Sequence, residues 1–257
     1  MQESLISFKD SLASKGVDIV QEFNTEWYNT YVASESLPLS PLPTYGRASA
    51  KAVVIGNSRA LWPAFLNWLS RQSQPEEVQD PLDKFIQSTV EQAIAELCSS
   101  SGVAHDIFWP WESGERLVSM QRVAIVCGMC YHDTETQLAI HPKFGAWVAF
   151  RAVVVFDAPG DAVPTPERLG CLMSEEEKVA AREAMAAALR ASDEANLCTQ
   201  LHGEKGMERD VRLAWAALRD CVAVGREARY SEAQLTYHYT KDKKVLLQAM
   251  HDHLTRP

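Results

Sequence analysis

Leu138 to Phe156 reads LAIHPKFGAWVAFRAVVVF, and its second half decides the fold. Val148, Phe150, Ala152, Val154 and Phe156 fall on one alternating face, and Trp147, Ala149, Val153 and Val155 on the other. A run that is apolar on both faces, β-branched and aromatic, predicts a central strand covered on both sides. Arg151 stands in the middle of it. A guanidinium keeps its charge at any ordinary pH, and burying it unpaired is costly, so it needs an anion. Two partners are open at this point: a carboxylate of the chain itself, or a carboxylate or phosphate ligand.

Just upstream, Pro142 biases His141 towards extended geometry, and Gly145 permits a turn or a close backbone approach. The imidazole reads as a structural group with a tautomer fixed by a backbone carbonyl, in preference to a catalytic base.

Outward from this stretch, 257 residues with 46% apolar content fit one large domain with a substantial core. A formal charge of −9 argues against attraction to nucleic acid or anionic membrane. No apolar run reaches the length of a membrane span, and Met1 to Asp10 lacks the layout of a signal peptide, so a cytosolic, soluble protein is expected. The six cysteines, at 98, 127, 130, 171, 198 and 221, read as reduced. Cys127 and Cys130 form a CxxC, but no second pair accompanies it and it falls late in an expected helix, so it reads as packing.

Along the chain, an amphipathic helix is expected over residues 3 to 23, and the proline-punctuated 36 to 46 as an extended surface loop. Lys51 to Ile55 is a short strand, followed by a helix carrying Leu61, Trp62, Phe65, Leu66 and Leu69. Asp80 and Pro81 open a helix with the stripe Leu82, Phe85, Ile86, Val90, Ala93, Ile94 and Leu97. Val103 to Trp111 contains a strand, and Ser113 to Tyr131 a helix that leads through a short polar turn into the central strand. Beyond Phe156, Ser174 and Glu177 make a capping box, residues 207 to 224 a helix bearing Arg219, and Ser231 with Gln234 starts a last helix. The fold class is α+β: a mostly antiparallel sheet in 1–156, completed by a helical C-terminal part or cap in 157–257. No catalytic triad, acid–base pair or phosphate-binding glycine loop is present in the sequence.

The run Ile140-His141-Pro142-Lys143-Phe144-Gly145-Ala146-Trp147, continuing through Phe150-Arg151-Ala152-Val153-Val154, resembles the IHPxFGxWxAxRxVV signature of CblC-type cobalamin processing proteins. Trp27-Tyr28-Asn29, Asp80-Pro81-Leu82-Asp83, and Arg229-Tyr230-Ser231-Glu232 with Gln234 agree in order, as do Gln121, Gly128 and Tyr131. The resemblance implies a nitroreductase or flavin-reductase-like fold that takes cobalamin base-off. It further implies two activities: decyanation driven by NADPH and reduced flavin (FMN or FAD), and glutathione-dependent dealkylation. No protein nucleophile is implied, because cofactor and co-substrate carry the chemistry.

Carried over residue by residue, the family's glutathione-binding arginines fall on Arg151 and Arg219, and the third near Lys244 or Val245, where a lysine keeps the charge without the bidentate fork. The cobalamin lining falls on Val118, Ser119, Met120 and Gln121, on His132, Asp133 and Thr134, on Ala139 and on Phe150. No metal ligand from the protein is expected, and there is no D-x-H-x-x-G stretch to place a histidine under cobalt. The partners implied are cobalamin, glutathione and a CblD-like trafficking protein, with a homodimer possible. The other reading is a non-catalytic carrier that hands base-off cobalamin to that partner.

Overall fold

The computed structural model describes residues 2–35, 39–99, 102–167, 169–202 and 208–255. The central strand, β6, runs Ala149–Pro159, with β2 (Ala50–Asn57) antiparallel on one side and β3 (His105–Phe108) antiparallel on the other. Val154 of β6 stands between Val53 and Ile107. β1 (Ile19–Asn24) pairs antiparallel with the far side of β2, so the sheet order is β1-β2-β6-β3.

Ala152 to Phe156 are all buried, because both faces of the sheet are covered. On one face Val53, Ile55, Ala152, Val154 and Phe156 join a core built by α1 (Gln2–Ser14), α3 (Leu61–Leu69) and α4 (Pro81–Ser99). On the other, Ala52, Val54, Val153 and Val155 pack with Tyr28 and Val32 of α2 (Thr25–Ser34) and with Val123 and Ala124 of α5 (Met120–Val126). From Ala152 to Phe156 the alternation read from the sequence is the alternation of two cores. Val148 and Phe150, expected on the face of Ala152, instead pack with Val153 and Val155, because the register shifts between Ile55 and Gly56, opposite Ala152 and Phe150. The apolar stripe of α4 is buried from Leu82 to Ile94, as its spacing requires.

Three helices differ from expectation. The stretch 3 to 23 splits into α1 and β1 at Gly16, whose φ of +77° ends the helix while Val17 N–H bonds back to the Leu12 carbonyl. The stretch 113 to 131 yields only a 3₁₀ turn and α5, because the Ser119 hydroxyl caps the helix by accepting from the Arg122 amide and Gly128, at φ +69°, closes it. A two-stranded hairpin follows, β4 (Tyr131–His132) with β5 (Ala139–Ile140). Of the proline-rich loop, 36–38 lie outside the described residues and 39–44 carry no regular structure.

The C-terminal part supplies α6 (Glu175–His202), α7 (Glu208–Asp220), α8 (Glu232–Thr240) and α9 (Lys243–Thr255). Ser174 and Glu177 exchange hydrogen bonds at 2.6 and 3.2 Å, which is the capping box. The expected single last helix is broken at Lys241, φ +54°, so α8 and α9 are separate. This part seats on the segment before β6: Trp147 is buried among Ala216, Ala228, Tyr230 and Leu235, and Ile140 and Ala146 among Leu218 and Val222.

Two glycines make that seat possible. A Cβ at Gly145 (φ +58°) would overlap the Val224 carbonyl oxygen, and one at Gly225 (φ +68°) would overlap the Phe144 backbone. Gly145→Ala is expected to lower the free energy of unfolding by about 3 kcal/mol, combining left-handed strain with overlap. Gly114→Ala, at φ +61° but facing open space, should cost only about 1 kcal/mol; urea unfolding of both variants measures the difference.

Candidate functional site

Arg151 Nε donates to Asn57 Oδ1 at 2.6 Å. Among the described ion pairs none involves Arg151, so the internal-carboxylate alternative left open by the sequence is not the one adopted. An amide oxygen orients the guanidinium without cancelling its charge. Burial draws its pKa down, against the opposing fields of Tyr230 and Asp83.

Arg219, at the end of α7, lies 5.5 Å above the Trp147 ring and 5.9 Å from that of Tyr239, with Nη1 buried and unbonded among the described residues. Cation–π contact steadies such a charge without neutralising it. Arg229, 5.3 Å from the same indole, is by contrast paired with Asp220 at 2.9 Å. His238 is held neutral, its pKa pushed down to about 3 by burial and by Arg219, Lys241 and Arg151. Tyr230 feels both Arg219 and Arg151, though burial dominates and raises its pKa. Arg151 on β6 and Arg219 at the end of α7, neither in an ion pair among the described residues, thus both act on Tyr230 and His238.

Lys241, at the end of α8, is a lysine whose field reaches His238. Lys244 is exposed, its backbone N–H donates to Asp242 Oδ1 at 2.8 Å, and it lines a separate hollow of about 390 Å³ with Val245, Gln248 and Asp252. The left-handed residue that ends α8 is itself this lysine, Lys241, 5.6 Å from the Tyr237 ring; burial draws its pKa down, against the field of Asp83 and with that of Arg151. Sequence alignment by position could not see this, because the turn was read as continuous helix.

The cobalamin positions gather where α5, the hairpin and the start of β6 meet. Val118 and Met120 are buried in the core, and Ser119 caps α5. The Gln121 amide donates to the Gln137 carbonyl, fixing the hairpin to α5. His132 faces Ala139 across the hairpin, and its Nδ1 lies 3.4 Å from an Arg122 guanidinium nitrogen. Asp133 is buried and accepts from the Thr136 amide at 2.9 Å, so it shapes the turn; Thr134 is exposed, and Phe150 is half-buried against the α5 core. A hollow of about 590 Å³ is lined by Trp27, Tyr31, Tyr131, His132, Pro166 and Leu169 among others. Of the positions carried over, His132 is the one on its wall. The Thr165–Leu169 side was missed, since nothing in a divergent loop signals which hollow it covers.

His141 Nδ1 accepts the backbone amides of Lys143 (3.0 Å) and Phe144 (3.3 Å), so its proton sits on Nε2. The tautomer is fixed by backbone amides, and the expected carbonyl is not the partner. Cys127 and Cys130 are both buried, and burial pushes the Cys127 thiol up to about 12 and Cys130 higher still, so neither is a thiolate at neutral pH. Among the described residues no group of three or more His, Cys, Asp or Glu could hold a metal ion, and no helix is long and apolar enough to cross a membrane.

This geometry defines a helix-flanked antiparallel-sheet protein with two half-buried guanidiniums outside any described ion pair and an aromatic-walled hollow. Residues 16–193 match the model of the Methylmalonic aciduria and homocystinuria type C family, and the chain belongs to that family. It is 26% identical over 198 residues, 70% of this chain and 75% of the other, to a Danio rerio protein named cyanocobalamin reductase / alkylcobalamin dealkylase. Its fold is that of the C. elegans B12-trafficking protein CblC, with a TM-score of 0.69, 19% identity and 97% of each chain covered.

Burial pulls His141 down to about 4, so between that value and the unfolded value of 6.5 the unfolded chain binds more protons. Its contribution to stability is present above pH 6.5 and lost as pH falls to 4, about 2 kcal/mol after allowing for solvent screening. His238 acts with the same sign. His141→Asn, which retains an acceptor for the two amides, should flatten the pH dependence of urea unfolding between pH 6.5 and 4 and leave the His238 part.

Proposed function

We propose that this protein removes the upper axial ligand of cobalamins, by glutathione-dependent dealkylation of alkylcobalamins and by reductive decyanation of cyanocobalamin. The observation that carries the reading is the pair Arg151 and Arg219, half-buried on different elements and neither salt-bridged among the described residues. Cations left uncompensated by the chain suit a small peptide with two carboxylates.

In dealkylation the bound peptide's sulfur loses its proton, and the positive field of the two guanidiniums favours the thiolate. The thiolate attacks the alkyl carbon; a sulfur–carbon bond forms, the cobalt–carbon pair stays with cobalt, and a thioether and cob(I)alamin result. The protein's own work is to bind the carboxylates, hold the sulfur on one line with the alkyl group, and exclude water. The aromatic hollow beside His132 offers apolar walls with a polar tip, which suits part of a macrocycle with amide arms. A cobalt left without its lower donor is more easily reduced, which fits a chain without a D-x-H-x-x-G histidine. Reduced FMN or FAD, with NADPH, would supply electrons for decyanation; no glycine-rich phosphate loop marks a place for it, and no step above passes through it.

Under argon, methylcobalamin with this protein and glutathione should convert to the reduced cobalamin spectrum, and omission of glutathione should stop it. Binding with no change of the upper ligand would instead make the protein a carrier that hands cobalamin to a CblD-like partner. Arg151→Gln and Arg219→Gln should each lower kcat/KM for glutathione about 10- to 100-fold, the loss of one charge-assisted contact. Decyanation should stay within about twofold, and Lys244→Gln should leave both reactions unchanged.

A further inference from the structure

Four residues other than glycine hold a left-handed backbone among the described residues, and one of them, Gln137 at φ +57°, stands in the β4–β5 hairpin. Such a conformation is disfavoured about tenfold for a residue with a Cβ, so it persists only where its surroundings hold it. The turn is built on Asp133, whose amide donates to the Leu138 carbonyl at 2.9 Å and whose carboxylate accepts the Thr136 amide at 2.9 Å. Gln137 stands just before Leu138 and β5, so its φ sets the direction in which Ala139 returns to face His132. Its side chain donates to the Thr134 carbonyl at 2.6 Å, inside the turn. From outside the hairpin, the Gln121 amide donates to the Gln137 carbonyl. Gln121 has a firm base. It lies in the first turn of α5, whose Val123 and Ala124 are fully buried, and the amide of the capping Ser119 donates to the Tyr28 hydroxyl at 3.1 Å.

Resting on the reading that a cobalamin lies beside this hairpin, we infer that Gln121 is a positioning residue: it serves the macrocycle by holding Gln137 left-handed, and not by touching it. The ladder of the hairpin is two residue pairs long, Tyr131 with Ile140 and His132 with Ala139, and so short a ladder resists displacement weakly. A slip of one residue would exchange the sides on which His132 and Ala139 stand. His132 and Tyr131 are on the wall of the 590 Å³ hollow, so the wall moves with the hairpin. The tip has another tie, Arg182 Nη1 to Glu135 Oε2 at 2.6 Å, but both side chains are about half exposed. A pair of that kind is weak and screened by salt, and it constrains no backbone angle. The bond from Gln121 falls on the strained residue itself.

Two substitutions separate holding from touching. Gln121→Met keeps the length and the helix propensity and removes the amide, whereas Gln137→Gly makes the left-handed turn free of strain. Spectrophotometric titration of the full-length protein with methylcobalamin should show binding about tenfold weaker for Gln121→Met. Gln137→Gly loses only the exposed bond to Thr134 and should stay within about threefold of wild type. In the presence of that glycine, Gln121→Met should cost no more than about threefold. A glutamine that touches the ligand would give the same tenfold loss with glycine in place, and an unchanged affinity in Gln121→Met would mean that nothing is held; either result overturns the assignment. The same cycle is read without ligand as amide hydrogen exchange at Asp133, whose N–H crosses the turn. Exchange there should be about tenfold faster in Gln121→Met and return to the wild-type rate in the double variant. Exchange unaffected by Gln121→Met also overturns the clamp. Exchange that follows the cycle in a protein whose wild type binds no methylcobalamin would sink the cobalamin reading and leave the clamp standing.

Discussion

The bond from Arg151 Nε to Asn57 Oδ1 sets the character of this protein. Had a carboxylate stood at that position, the guanidinium inside the sheet would have been neutralised and the site closed. An amide gives orientation at no cost in charge, so the electrostatic demand of the buried strand is passed to whatever binds. Arg219 is treated the same way, with aromatic faces in place of a counter-ion. In a chain of formal charge −9 two guanidiniums stand without a carboxylate partner among the described residues.

The group of cations and aromatic rings around Trp147 forms because distant segments meet. Arg151 belongs to the sheet, whereas Arg219, Tyr230, His238 and Lys241 belong to the helical C-terminal part. They are held together by the seat formed by Trp147 and by the back-to-back approach of Gly145 and Gly225, where no side chain larger than hydrogen fits. The same short stretch therefore carries the turn held by His141, the docking surface and the cation. That economy explains how one run of residues could announce the fold. His141 serves the turn: its Nδ1 is committed to two backbone amides.

Where sequence reading failed, it failed at helix ends. Ile19 and Phe23 were counted into the first helix because their spacing suits a 3.6 period, yet Gly16 had already stopped it and the same residues alternate on β1. Ser119 outcompeted the apolar pattern as a start signal and Gly128 as a stop. Lys241 is the instructive case: a left-handed lysine carries none of the usual glycine or asparagine warning, so the break between α8 and α9 is invisible in the sequence.

By itself the sequence determined the central strand and its two faces from Ala152 to Phe156, the stripe of α4, the capping box of α6 and the unpaired cost of Arg151, because periodicity and local hydrogen bonding report directly on burial and helix ends. Only the tertiary structure decided which group answers Arg151, where the register shift turns Val148 and Phe150 to the other core, and that Trp147 Nε1, Arg219 Nη1 and Tyr230 Oη are left without a partner among the described residues. Those outcomes depend on the direction of side chains brought together from different segments, and a pattern along one dimension holds no information about what stands opposite in three.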